Sequence, residues 1–151
     1  MHLDSANEIN ELFKIALINR DKLSAEEKQR IYSKAITLCE TIDESELEDA
    51  VDESREMMRG SLCMSTAAIV SQPEKALNYF ESAKRSLTRN GITDEFMEDS
   101  YSAILVLEVL YLYEHKMLTT TNKDAAINTI NKFTHLSKTS QAAFIEVIKE
   151  F

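Results

Sequence analysis

Residues 72–91 read QPEKALNYFESAKRSLTRNG, and their punctuation decides the fold class. Pro73 stands where the first turn of a helix tolerates a missing N–H, and Asn90-Gly91 supplies a left-handed stop eighteen positions on. Between them Ala76, Phe80 and Ala83 recur at spacings of four and three, which places all three on one helical face. The stretch therefore predicts a delimited amphipathic helix with a small-aromatic-small seam. The whole chain of 151 residues has only 2 Gly and 1 Pro. Sheets and tight turns need these residues and helix interiors avoid them, so the chain is expected to be all-α.

Working outward, helix starts can be read from Ser/Glu pairs three apart, in which the side chains satisfy exposed backbone N–H groups. Four such pairs occur: Ser5 with Glu8, Ser24 with Glu27, Ser45 with Glu48 and Ser71 with Glu74. The first amphipathic run, about 6–20, lines up Ile9, Leu12, Phe13, Ala16 and Leu17. The second, about 25–42, aligns Ile31, Ala35, Leu38 and Ile42. The third, about 46–70, carries Leu47, Ala50, Val51, Met58, Leu62 and Ile69, with Gly60 as a point of kinking or close packing. The quoted stretch is the fourth. The fifth, about 94–117, contains AILVLEVLYLY at 103–113, apolar nearly all round, the pattern of a helix surrounded by others. After the polar break TTTN, residues 123–136 and 139–150 complete about seven helices, arranged as a compact bundle or a stack of antiparallel hairpins. No linker is long enough to divide the chain, so a single domain over 1–151 is expected.

The seam residues, with a proline near the boundary, resemble the second helix of a tetratricopeptide repeat over residues 71–91. In that family the small residues let neighbouring helices approach and the aromatic fills the gap. The resemblance implies that Ala76, Phe80 and Ala83 are packing positions and not a recognition surface. It sets Met64 and Ala67 where the preceding helix of such a repeat carries a small residue and a tyrosine. Related spacing occurs at Ile31, Ala35 and Leu38 and at Ala126, Ile130 and Phe133. These blocks lie 45 and 50 positions from Ala76, against a repeat of about 34 in the family.

Hydrophobic residues make up 44% and charged residues 28%, the balance of a soluble globular chain. The opening MHLDSANEIN has neither a basic n-region nor an apolar h-region, and no apolar run is long enough for a membrane span, so a cytoplasmic protein is expected. Cys39 and Cys63 have no CxxC spacing and no histidine nearby, and read as small core residues. His2, His115 and His135 are scattered. With only Gly60 and Gly91 available no phosphate-cradling loop can be built, and the serines lack a preceding strand for a nucleophile elbow. No cofactor is implied.

Charge carries the functional signal. The net charge is −9, which disfavours nucleic acid and anionic lipid and favours a basic protein partner. Residues 40–56, ETIDESELEDAVDESRE, hold nine acids and one base, a net of −8, which leaves −1 for the rest. Asp49, Asp52, Glu53 and Glu56 fall at i, i+3, i+4 and i+7, one acidic stripe flanked by Glu46 and Glu48. The leading expectation is a non-enzymatic binding module that docks a basic protein, a toxin or a secreted protein, through Glu46, Asp49, Asp52, Glu53 and Glu56. A small acidic bundle of this kind resembles, in general character, bacterial immunity proteins that neutralise basic nuclease toxins, and acidic secretion chaperones. One alternative resembles the all-α nucleotide pyrophosphatases: Glu46 with Asp49 and Glu95 with Glu98 would together hold Mg²⁺ against a triphosphate. Another is a structural subunit of a helical assembly, which an exposed apolar patch around Phe144, Ile148 and Phe151 would favour. The oligomeric state has no signature in the sequence.

Overall fold

The computed structural model describes residues 11–19, 22–40, 53–88, 91, 92 and 94–151, without the side chains of 38–40, 53–60 and 63. The fold is all-α: the described residues form seven helical segments and no strand. They are α1 (11–18), α2 (Ala25–Glu40), α3 (Glu53–Val70), α4 (Pro73–Leu87), α5 (Glu95–Glu114), α6 (Thr120–Asn131) and α7 (Lys138–Lys149). The chain gathers into two compact units, Met1–Leu87 and Thr88–Phe151.

In the first unit α3 packs against both α2 and α4. Small residues make this close approach possible: Ser61, Ser65, Thr66, Ala67 and Ala68 of α3 are all buried. Thr66 satisfies its buried hydroxyl within its own helix, donating to the Leu62 carbonyl at 2.8 Å. From the facing helix Ala76, Phe80 and Ala83 are fully buried, with Leu87 one turn further on. Burying a phenylalanine contributes about 1.5–3 kcal/mol in apolar transfer alone. The residues picked out by their spacing are therefore the seam of the α3–α4 hairpin. Between α2 and α4, the Tyr32 and Tyr79 hydroxyls meet at 2.5 Å and their rings pack edge to face, centroids 5.9 Å apart. Leu12 and Ala16 of α1 and Ile31 and Ala35 of α2 are buried as their spacing predicts. Ile9 and Ile42 lie outside the described residues.

The caps follow the sequence in part. At α2 the Glu27 N–H donates to Ser24 Oγ at 3.2 Å, and the Ser24 hydroxyl donates to Glu27 Oε1 at 3.0 Å. At α4 the expected Ser71–Glu74 box gives way to another arrangement. The helix begins at Pro73, the Gln72 carbonyl accepts from the Ala76 N–H at 2.9 Å, and the Ser71 hydroxyl turns back to the Ala67 carbonyl at the end of α3. The other two pairs, Ser5–Glu8 and Ser45–Glu48, lie outside the described residues. Gly91 takes φ 87°, the left-handed stop expected after α4. The α3 helix runs through Gly60 without interruption.

In the second unit α5, α6 and α7 pack pairwise. Their core is Leu105 and Val109 of α5, Ala126 and Ile130 of α6, Leu136 of the α6–α7 link and Ile148 of α7. Asp94 caps α5, accepting from the Met97 N–H at 2.8 Å. The helix ends at Glu114, three residues before the expected 117, because a Schellman turn closes it. The Met117 N–H reaches the Leu112 carbonyl at 2.8 Å and the Lys116 N–H the Tyr113 carbonyl at 3.1 Å. Lys116 sits at φ 58°, the left-handed position that glycine usually fills. Nor is α5 surrounded: buried residues cover roughly half its circumference, while Phe96, Ala103 and Tyr113 are exposed.

Two boundaries differ from the sequence reading for identifiable reasons. Thr119 caps α6, accepting from the Asn122 N–H at 3.1 Å, so the polar TTTN is its start and not a break before it. The same helix stops at Asn131 instead of 136, because residues 134–136 are drawn into a different bonding arrangement.

Candidate functional site

That arrangement centres on Glu98. It lies in the first turn of α5, only 3% exposed, and its carboxylate accepts from three successive backbone N–H groups of the α6–α7 link. Oε1 takes Thr134 at 3.1 Å and His135 at 3.2 Å; Oε2 takes His135 at 2.9 Å and Leu136 at 2.7 Å. Successive N–H groups aimed at one point form a nest suited to an anion, here filled by the protein's own side chain. Hydrogen bonds to a charged acceptor are about twice as strong as neutral ones. Glu98 thus ties the link to α5 and seats Leu136 in the core. Gln141 reinforces the junction, its Nε2 donating to the Ile130 carbonyl at 2.7 Å.

This bears directly on the magnesium alternative. Of its four carboxylates Glu46 and Asp49 lie outside the described residues, Glu95 is exposed at the start of α5, and Glu98 has both oxygens on backbone N–H groups. A carboxylate so engaged must give up backbone hydrogen bonds before it can ligate a cation, and the Leu136 N–H among them is buried, so leaving it unmade costs about 1–3 kcal/mol. Among the described residues no group of three or more His, Cys, Asp or Glu side chains comes together in a metal-binding arrangement.

Of the acidic stripe only the last part falls within the described residues. Glu53 and Glu56 lie on helical backbone in the opening turns of α3, where their spacing of three puts them on one face. Glu46, Asp49 and Asp52 lie outside the described residues, as do the side chains of Glu53 and Glu56. The thiols of Cys39 and Cys63 are also outside the description.

The patch that would have favoured an assembly subunit is not exposed: Ile148 is fully buried, and Phe144 and Phe151 pack against the core. Among the described residues the exposed large apolar side chains are Ile15, Ile18, Phe96, Tyr113, Met117 and Val147. Tyr113, expected in the core as part of the apolar run 103–113, is 53% exposed, and its ring packs against Phe151 at a tilt, centroids 5.2 Å apart. Tyr111, two positions before it on α5, is buried, with its ring 4.1 Å from that of His115. Burial pushes its phenol up to about 12 from the ordinary 10.0.

Two features had no clear sequence signal. Lys84 is buried in α4 with its ammonium 2.7 Å from Glu81 Oε1, although a lysine one position past a seam alanine reads as solvent-facing. Glu98 was visible only as half of an ExxE pair; its partners are 36–38 positions away, so nothing local marks it as a loop anchor. Among the described residues no buried side-chain nitrogen or oxygen lacks a hydrogen-bond partner, and no helix is long and apolar enough to cross a membrane. Comparison with family models, with curated proteins and with solved structures found no match to this chain.

Proposed function

We propose that this chain is a non-enzymatic, cytoplasmic protein-binding module that docks a basic polypeptide through Glu46, Asp49, Asp52, Glu53 and Glu56, with the character of a toxin-neutralising immunity protein or an acidic secretion chaperone. Its hairpins would pack in the manner of tetratricopeptide repeats and serve as scaffold. The observation that carries the proposal is the concentration of charge: −8 within residues 40–56 of a chain whose total is −9. Like charges three and four apart on a helix destabilise it by a few tenths of a kcal/mol per pair, a cost that a cationic partner removes on binding. A concentrated negative field also steers a basic partner and speeds its encounter. Support comes from the helical backbone at Glu53 and Glu56, which keeps the last two acids of the stripe in register.

The test is a charge reversal, Asp49→Lys, Asp52→Lys, Glu53→Lys and Glu56→Lys together, with helicity followed by circular dichroism. Affinity capture from the native host lysate should retain a basic protein on the wild type and lose it on the variant. Capture of the same proteins by both, with both folded, overturns the proposal.

A further inference from the structure

We draw no further inference here: the strongest candidate, the exposed apolar side chain of Tyr113 at the C-terminal end of α5, its ring tilted against that of Phe151, carries nothing because no feature of the structure shows what covers it.

Discussion

Two helical hairpins in this molecule are held closed by different physics. The α3–α4 hairpin packs with small side chains buried on both helices: Ala76 and Ala83 flank the buried Phe80 on α4, and Ser61, Ser65, Thr66, Ala67 and Ala68 are buried on α3. The α6–α7 hairpin closes on an aliphatic core, but its link is fixed by a carboxylate contributed from a third helix. Shape complementarity is spread over many weak contacts and tolerates small changes at any one of them. A buried anion on three backbone donors concentrates the interaction in one residue, and removing it exposes unmade hydrogen bonds. The first hairpin should yield gradually to conservative substitution, and the second abruptly to a single polar one.

The largest effect is expected at the seam. Phe80→Ala should lower stability by about 3–5 kcal/mol, the range for a fully buried phenylalanine that leaves a cavity. Phe80→Leu should cost markedly less, because neighbouring small residues can close over the difference. Chemical denaturation of the pair checks this. Equal losses would mean that the ring has a specific role beyond filling space.

Next comes Glu98→Gln, nearly isosteric, which replaces one acceptor oxygen by an NH₂ group facing N–H donors. We expect a loss of about 2–3 kcal/mol, together with faster hydrogen exchange at the amides of Thr134, His135 and Leu136. The α3–α4 amides should keep relative protection among themselves. Unchanged exchange at those three link amides would show that the carboxylate is accommodated rather than needed.

The Tyr111 phenol gives a pH-dependent effect. Its folded-state value is raised, so between pH 10 and about 12 the unfolded chain releases the proton more readily than the folded one. The contribution is fully present below pH 10 and is lost as pH rises through that window. Denaturation midpoints of wild type and Tyr111→Phe, measured from pH 9 to 12, should diverge by a falling wild-type stability that the variant does not share.

The smallest effects are at Lys116 and Gly91, the left-handed positions among the described residues. Lys116→Gly should stabilise by about 1 kcal/mol, because it relieves the cost of a side chain at φ 58°. Gly91→Ala should destabilise by a similar amount through backbone strain alone, since a Cβ there meets nothing within 4 Å. Thermal melts of both variants read the pair, and shifts of the same sign would contradict the conformational argument.

The contrast between the hairpins also explains what could be read from the sequence. Helical periodicity reports which side chains share a face, so Ala76, Phe80, Ala83, Ile31 and Ala35 were legible before any coordinates. Glycine at 91 announced its own conformation. Periodicity is blind to partners distant in sequence, and there the reading failed. It extended α6 to 136 because Phe133 continued the Ala126–Ile130 spacing. In fact Phe133 lies past the helix end and packs edge to face on Tyr101, centroids 5.8 Å apart. Glu98 looked like a metal ligand because a carboxylate's residue type does not say whether its donors are a cation or a backbone. Tyr113 looked like core because apolar content on α5 exceeds what its neighbours cover.

The docking claim is tested most directly by separating the position of the acids from their number. Two variants raise the net charge from −9 by the same eight units: the reversal at Asp49, Asp52, Glu53 and Glu56, and a control reversal to lysine at Glu74, Asp124, Glu146 and Glu150, all exposed in the structure. The measurement is the affinity of wild type and both variants for the basic protein that the wild type captures, at one fixed salt concentration. The account predicts that the control binds within a few-fold of wild type while the stripe reversal loses binding. Equal weakening by both, or by neither, would contradict it, since the acids at 46–56 would then act as no more than a share of the total charge.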